Sequence, residues 1–249
     1  MIAELAKLIA PKIDPDLGLS LPPPFVGNWR ALSAEEATVL LARLSVDLAS
    51  GGVETPWPLA HEAIALQAVP MPCYGDAIYV DAVVRDRVGN VGRAGFLVFP
   101  EEVFPLQTIS DPIHHLFDRG KLQPDSDEQI ASYVRLFCWT ICGDEGPFAL
   151  VESASALSGA PINPPGDVEE LISPLLVEAE DEETPPGIRF ISATTQYGDT
   201  VFAVRFQLLV DGPVEMIDDN PLFILAEAPR WRITRWVKYL DGVSEEGRA

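Results

Sequence analysis

The most enzyme-like feature of this sequence is a run of carboxylates and imidazoles within eight residues. It contains Asp111, His114, His115 and Asp118. If the run is helical, it forms two carboxylate–imidazole pairs, because residues four apart share one face of a helix. A carboxylate beside an imidazole can orient a general base, so these four residues are the candidate catalytic group. Polar residues that only cap loops give the same pattern and are commoner.

Metal binding is the second chemistry that the residue types suggest. Two adjacent histidines on a helix point about 100° apart, so His114 and His115 seldom share one metal ion. A separate acidic group, Glu215, Asp218 and Asp219, lies beside a predicted strand end and could hold Mg²⁺ or Ca²⁺, or act as an acid and base pair. Its spacing matches no EF-hand loop, and a solvated turn also explains it. We therefore expect no metal site and no cofactor.

The three cysteines, Cys73, Cys138 and Cys142, are too few and odd in number for a disulfide framework. Cys138 and Cys142 are four residues apart, which differs from the CxxC spacing of redox and zinc sites. Arg135 is the only nearby cation that could lower a thiol pKa. We interpret the cysteines as small buried hydrophobic residues in a protein of the reducing cytoplasm.

Three glycines, Gly89, Gly92 and Gly95, have a GxxGxxG spacing that resembles a phosphate loop. They fall inside a predicted hairpin, where no helix N-terminus follows to receive a phosphate group. The GxSxG, GxxxxGK(S/T) and zinc-finger spacings are missing as well. The sequence therefore favours a protein that is not an enzyme, with a small-molecule hydrolase or lyase built around residues 111–118 as an alternative.

Net charge is the strongest bulk signal. The chain has 38 Asp and Glu residues against 17 Lys and Arg residues, which gives a formal charge of −21 and an isoelectric point near 4.3. Charge of this sign disfavours contact with nucleic acid phosphates and anionic lipid, and it favours a basic protein partner. A proteome that is acidic throughout would give the same composition.

Two segments suggest binding of a protein partner. The stretch from Asp167 to Glu183 contains eight acidic residues and no basic residue, so it could contact a basic surface, although such runs usually stay solvated. The second segment, residues 230–239, has the opposite composition. Arg and Trp are frequent at interface hot spots. The candidate partner-binding residues are therefore Trp231, Arg232, Arg235, Trp236 and Lys238.

Capping and periodicity predict the helices. Ser33 and Glu36 form a capping box, and the apolar residues that follow share one face as far as Leu48, so a helix is predicted that ends at Gly51-Gly52. For residues 130–142 the apolar residues fit the period of a helix and that of a strand equally well. We favour a helix followed by a strand, a turn and a strand. Further helices are predicted over 1–10, from Thr55 to just before Pro70, from Asp127, and within 167–176.

Alternating apolar residues predict the strands. Two hairpins are indicated, one around Gly89-Asn90 and one around Gly198. The last strand gives a simpler account of the basic C-terminal segment, because alternation places its apolar side chains in the core and its basic side chains outside. The core residues in that account are Trp231, Ile233, Val237 and Tyr239. The predicted strands cover residues 78–85, 91–99, 188–195, 200–210, 214–217 and 231–239.

These elements predict an α+β fold in which N-terminal helices pack on a mostly antiparallel sheet built from hairpins. The length allows one compact unit, 1–249, or two lobes, about 1–157 and 188–249, joined by the acidic, proline-rich segment 158–187. The longest apolar stretch contains Arg135 and is too short to span a bilayer, so no membrane segment is predicted.

The predicted function is that of a non-enzymatic acidic interaction protein, such as an adaptor, an inhibitor or an immunity-type partner of a basic protein. The prediction depends on the high negative charge and on the missing catalytic motifs. The alternatives are the hydrolase or lyase described above and a subunit of a larger assembly. We expect a cytoplasmic protein, and the overall pattern is similar to that of bacterial proteins.

Overall fold

The structure is a computed structural model that describes residues 23–50, 61–118, 122, 124–179, 184–209 and 213–240. The predicted helix over 1–10 and the predicted helix end at Gly51-Gly52 lie outside these ranges. The described chain divides into two units. Unit 1 takes residues from 23–71, 76–108 and 231–240, and unit 2 takes residues from 72–75 and 109–230. The described part of 158–187 therefore belongs to unit 2.

Both units combine helices with antiparallel strands, which confirms the predicted α+β class. The described helices are α1 (Ala34–Ser50), α2 (Asp111–Asp118), α3 (Asp127–Thr140) and α4 (Val168–Leu171). The strands of the first half are β1 (Arg30–Ala31), β2 (His61–Pro70), β3 (Ile78–Asp86), β4 (Val91–Val98), β5 (Val103–Pro105), β6 (Cys142–Gly143), β7 (Gly146–Pro147) and β8 (Ala149–Leu150). Those of the second half are β9 (Pro161–Ile162), β10 (Leu176–Val177), β11 (Ile188–Tyr197), β12 (Thr200–Leu209), β13 (Val214–Leu225), β14 (Trp231–Ile233) and β15 (Lys238–Leu240).

In the described part of unit 1, seven strands form one sheet in the order β1, β2, β3, β4, β15, β14, with β5 also paired to β4. Helix α1 packs on one face of this sheet, as the predicted fold requires. Leu41 and Leu44 of the helix share a buried apolar cluster with Leu66, Val80 and Phe96 of the strands. Full burial of each such side chain stabilises the fold by about 1.5–3 kcal/mol.

The predicted capping box begins α1. The backbone N–H of Ser33 donates to Glu36 Oε2 at 2.9 Å, and the N–H of Glu36 donates to Ser33 Oγ at 3.3 Å. These hydrogen bonds satisfy backbone donors that the first turn of a helix leaves without partners. The bond from the Ser33 N–H also lowers the pKa of the Glu36 carboxyl, because it favours the ionised form.

The predicted helix from Thr55 to Pro70 is wrong over its described part. Residues 61–70 form strand β2, which pairs with β1 on one side and with β3 on the other. Both faces of β2 are buried, so its apolar residues run on without alternation. A continuous apolar run fits a helical period as well as it fits a buried strand. The buried residues of β2 are Ala63, Ile64, Ala65, Leu66, Ala68 and Val69.

The β3–β4 hairpin is confirmed, but its loop, residues 86–90, is longer than a two-residue turn. Asp86 organises the loop, because its Oδ1 accepts hydrogen bonds from the N–H of Val88 at 3.0 Å and of Asn90 at 2.9 Å. Burial raises the pKa of Asp86, but a hydrogen bond from the side chain of Asn90, these two backbone bonds and the charge of Arg232 together outweigh it, so the net pKa is lowered. Gly89 has a φ of +93°, a conformation that glycine adopts without strain.

In the described part of unit 2, six strands form a second sheet in the order β10, β11, β12, β13, β9, with β8 also paired to β11. The predicted β11–β12 hairpin is confirmed, and Gly198 at its turn has a φ of +59°. Ser126 caps α3, because its Oγ accepts the N–H of Gln129 at 3.3 Å. The helix continues to Thr140, so the favoured interpretation of residues 130–142 is confirmed.

One face of the second sheet is buried. Alternate residues of β12, namely Val204, Phe206 and Leu208, are inaccessible to solvent or nearly so. Helix α3 is tied to β11 by an ion pair of 2.6 Å between Asp127 and Arg189. The other face of the same sheet differs along its length, and this difference defines the candidate site described below.

Two predicted strand boundaries are wrong. The strand predicted over 214–217 continues through Asn220-Pro221 as part of β13. The single strand predicted over 231–239 is two strands, β14 and β15. Thr234 forms the turn between them, because its Oγ1 accepts the N–H of Val237 at 3.0 Å and its own N–H donates to the Val237 carbonyl at 3.0 Å. Such local bonding by threonine competes with an extended strand.

Replacement of Leu41 by Ala tests the core between α1 and its sheet. Leu41 is 1% exposed. The substitution leaves a cavity, so we expect the free energy of unfolding to fall by about 2–5 kcal/mol. Val39→Ala on the same helix is the control, because Val39 is 64% exposed. It should change the free energy by less than about 0.5 kcal/mol. Urea-induced unfolding followed by circular dichroism measures both, and equal effects would contradict this packing.

Candidate functional site

Residues 111–118 form the helix that the predicted carboxylate–imidazole pairs need. Asp111 and His115 are exposed to solvent on it. The Nε2 atom of His114 is buried and has no hydrogen-bond partner among the described residues. The side chain of Asp118 lies outside the described part of the chain. Exposed carboxylates and imidazoles lack the desolvated surroundings in which catalytic bases are usually tuned.

The acidic group on β13 is divided between two faces of the sheet. Glu215 lies opposite Gln207, and Asp218 lies opposite Arg205, so both carboxylates share the face that carries Arg205. Asp219 is the next residue along the strand and falls on the other face. In the part of the chain that the structure describes, no three His, Cys, Asp or Glu side chains are grouped so as to hold a metal ion.

Two of the three cysteines are deeply buried. Burial raises the pKa of Cys73 to about 12, and it raises the pKa of Cys138 as well. Cys142 is half-buried, and its Sγ lies 3.6 Å from the carbonyl oxygen of Thr140. None of these three cysteines forms a disulfide. Because the thiolate is the nucleophile, Cys73 and Cys138 are poorly suited to nucleophilic chemistry near neutral pH.

Arg232 and Arg235 of the C-terminal segment lie in unit 1 and stack on aromatic rings of that unit. The guanidinium carbon of Arg232 lies 4.0 Å from the ring centre of Tyr239, and its Nη2 lies 3.8 Å from Asp86 Oδ2. The guanidinium carbon of Arg235 lies 5.1 Å from the ring centre of Trp236. Contacts of this kind contribute about 0.5–1 kcal/mol at exposed sites. These predicted partner-binding residues are therefore already engaged within the chain.

The remaining residues of this segment follow alternation only in part. Val237 and Tyr239 are buried, as alternation predicts, and Trp231 is half-buried. Lys238 is buried too, so the expectation that all the basic side chains lie outside is wrong for it. The reason is the place of β15 in the sheet. It lies between β4 and β14, and Lys238 is directly opposite Arg93 on β4.

A buried ion pair in unit 1 was not predicted from the sequence. Asp81 of β3 is completely buried, and Arg93 of β4 donates to it from Nε at 3.0 Å and from Nη2 at 2.6 Å, both to Oδ2. Gln67 of β2 donates to the same oxygen from Nε2 at 3.3 Å. The pair is thus held by side chains from three adjacent strands. Hydrogen bonds between ionised groups, such as these, are about twice as strong as neutral ones.

The ion pair fixes the register of β3 against β4. Asp81 lies opposite Gly95, and Arg93 lies opposite Val83, so the two charged residues are diagonal neighbours on one face. Counting residues outward from a two-residue turn at Gly89-Asn90 would have set Arg93 opposite Asp86, so the longer loop hides this pair from the sequence. We interpret the pair as structural, because each charge is neutralised by the other in place.

The second sheet carries polar and apolar side chains in ordered rows on its less covered face. One row contains Phe190, Gln207 and Glu215, and the next contains Ser192, Arg205 and Asp218. Leu176 of β10 lies beside Ser192. We call this region, made of Leu176, Phe190, Ser192, Arg205, Glu215 and Asp218, the open face.

Arg205 is the centre of the open face. Its guanidinium binds Glu178 through two hydrogen bonds, Nε to Oε1 at 2.9 Å and Nη2 to Oε2 at 2.6 Å. The guanidinium carbon also lies 4.1 Å from the ring centre of Phe190. Glu178 therefore neutralises Arg205, and the ring of Phe190 holds it flat on the sheet. Glu215 and Asp218 are exposed and form no ion pair with another described residue.

Comparison with known proteins gives no relative from which a function could be inferred. No family model, no curated protein and no solved structure matches the chain. Among the helices that the structure describes, none is both long enough and apolar enough to cross a membrane. Function is therefore argued from the geometry and charge of the described residues.

The buried ion pair gives a test of its structural role. Asp81→Leu leaves Arg93 buried without its counter-charge, so we expect it to lower the free energy of unfolding by about 3–5 kcal/mol. The double substitution Asp81→Leu with Arg93→Met removes both charges of the pair and should recover most of that loss, because no buried arginine is then left without its counter-charge. Urea-induced unfolding of the single and double variants measures the difference.

A control for this test is the exposed pair between Arg30 and Glu36, whose atoms lie 2.9 Å apart. Arg30→Met should change the free energy of unfolding little, because exposed ion pairs contribute little to stability. The contrary result is a double variant of Asp81 and Arg93 that is as unstable as the single Asp81 variant. That result would contradict the interpretation of the pair as a self-contained structural unit.

Proposed function

We propose that this chain is a non-enzymatic interaction protein that binds a basic protein partner through unit 2. The observation that carries the proposal is the segregation of charge along the chain. Residues 109–230 contain 22 Asp and Glu residues against six Lys and Arg residues. Most of the net negative charge of the chain therefore belongs to unit 2.

The arginines of unit 2 do not offset its surface charge in a general way, because they are used in specific pairs. Arg135 pairs with Glu152 at 2.7 Å, and Arg205 pairs with Glu178 at 2.6 Å. Many other carboxylates of the unit are exposed and form no ion pair with a described residue. They are Asp111, Asp125, Glu128, Asp144, Glu145, Asp167, Glu169, Glu170, Asp199, Glu215, Asp218, Asp219 and Glu227.

An excess of exposed carboxylates has a direct physical effect on association. It attracts basic surfaces over distances up to about the Debye length, ~8 Å at physiological salt, and raises the rate of encounter. It repels nucleic acid phosphates and anionic lipid headgroups. A basic protein is therefore the class of partner that this charge selects.

The cysteines support a reducing compartment, such as the cytoplasm, for this interaction. No disulfide joins them, and two of the three are buried. Proteins of oxidising compartments commonly use cysteines as cross-links, and this chain does not. The high thiol pKa of Cys73 also makes it a poor nucleophile, which is in keeping with a function other than thiol catalysis.

Affinity capture followed by reconstitution tests the proposal. The tagged chain, used as bait in a lysate of its source cells, should retain a basic protein in stoichiometric amount. The purified pair should weaken by about tenfold or more between 50 and 300 mM salt, as expected for association between opposite charges. Recovery of no partner, or of one whose affinity does not depend on salt, would contradict the proposal.

Matched charge reversals in the two units test which unit binds the basic partner. Asp144→Lys with Glu145→Lys changes two exposed residues of unit 2, and Glu35→Lys with Asp76→Lys makes the same change of charge in unit 1. The substitutions in unit 2 should weaken binding of the captured partner by a larger factor than those in unit 1. Isothermal titration calorimetry at 150 mM salt measures both.

A further inference from the structure

We infer that the open face is the docking surface for the basic partner and that the segment docked there is amphipathic, with lysine or arginine beside a large apolar residue. This inference rests on the proposed function and adds the position of the site and the chemistry of its ligand. The open face combines the exposed Leu176 and the half-buried Phe190 with carboxylates that form no ion pair with a described residue, and each of these features selects one part of the ligand.

The apolar part of the proposed ligand is inferred by comparing the two ends of this face of the sheet. Near the β11–β12 turn, Val201 and Phe223 are covered by Leu157, Val168 and Leu171 of the same chain. The sheet face is therefore shaped to pack against apolar side chains. The open face lies further along the same strands and is not covered in this way by any residue that the structure describes.

The exposure of individual residues supports this contrast. Leu176 is 62% exposed at the open face, and Ile217, the extra residue of a bulge in the neighbouring β13, is 45% exposed. An apolar side chain that covered Leu176 and the ring of Phe190 would remove apolar surface from water. Each 100 Å² of such surface is worth about 2.5 kcal/mol before the costs of association.

The basic part of the proposed ligand is inferred from the carboxylates in the two rows of the open face. Arg205 is already neutralised by Glu178, whereas Asp218 in its row and Glu215 in the adjacent row form no ion pair with a described residue. A cation of the ligand placed between them would neutralise two like charges at once. A second copy of this chain would bring more carboxylates to the same place, so self-association through the open face is disfavoured.

The edge of the sheet directs the ligand onto the face. Strand β13 pairs with β9 only at Ile224 and Leu225, so the rest of its outer edge has no partner strand among the described residues. It has two register shifts along β12, at Ile217 and at Leu222, and it contains Pro221 and the exposed Asp219. Bulges, proline and charge are the features that keep an edge strand from pairing with another strand. A partner is therefore expected to pack across the side chains of the open face instead of adding a strand to the sheet.

Two synthetic 14-residue peptides of equal charge serve as probes. One contains lysine and leucine in a helical amphipathic pattern, and the other contains lysine and serine at the same positions. Binding to the full chain is measured by fluorescence anisotropy at 150 mM salt. The leucine peptide should bind at least about fivefold more tightly than the serine peptide, because only it can cover the apolar part of the open face.

Charge-reversal variants separate the open face from charge in general. Glu215→Lys with Asp218→Lys should weaken the leucine peptide by about tenfold or more, and Asp144→Lys with Glu145→Lys, the same change of charge elsewhere in unit 2, should weaken it by less than about threefold. Equal effects of the two pairs would overturn the docking site and would leave the proposed function standing, since binding would then follow net charge alone.

An apolar pair of variants provides the second comparison. Leu176→Ser should weaken the leucine peptide by about threefold or more, and Ile224→Ser, at a site 47% exposed near the far end of β13, should leave its affinity unchanged. An equal loss of affinity for the leucine peptide in both variants would contradict the open face as the docking surface.

Chemical-shift mapping of the wild-type chain keeps the test independent of how the variants fold. Addition of the leucine peptide should shift the amide signals of Phe190, Ser192 and Arg205 more than those of the β11–β12 turn at Gly198. Shifts spread evenly over unit 2, or absent from these three residues, would overturn the inference. Failure of the proposed function is a separate result, seen as the absence of any basic partner in the capture experiment.

Discussion

The register of β12 between β11 and β13 is the constraint on which the candidate site depends. It places Phe190 and Arg205 in adjacent rows, and it sets Asp218 directly opposite Arg205. The bulge at Ile217 is essential to this arrangement. Without the extra residue, Asp218 would lie opposite Val204 and would fall on the buried face of the sheet. One inserted residue therefore decides which face of the sheet carries that carboxylate.

Charged residues have different roles in the two units. In unit 1, Asp81 and Arg93 neutralise each other in the interior, where either charge alone would be costly. In unit 2, Arg205 is neutralised by Glu178 at the surface, and the carboxylates of Glu215 and Asp218 form no ion pair with another described residue. The first arrangement stabilises a strand register and offers nothing to a ligand. The second leaves unpaired negative charge beside apolar surface, which is a property of binding surfaces.

Features that depend on local interactions could be predicted from the sequence. The capping box of Ser33 and Glu36 and the turn at Gly198 are settled within a few residues, so local signals are enough. Strand β2 was missed because it is buried on both faces, which hides the alternation of a strand. The Asp81–Arg93 pair and the open face could not be predicted, since each depends on register between strands and, on β13, on a bulge. The number of acidic residues predicts the charge that a partner would carry but not the surface on which it would bind.

A double-mutant cycle across the interface with the captured partner tests the central claim most directly. Asp218→Asn on this chain is combined with neutralisation of the partner's closest cation, and the four dissociation constants give the coupling energy. A docked cation at the open face predicts a coupling of about 1.5 kcal/mol or more, as found for close charge pairs. Additive effects within about 0.5 kcal/mol would contradict it, because they would place Asp218 away from the partner.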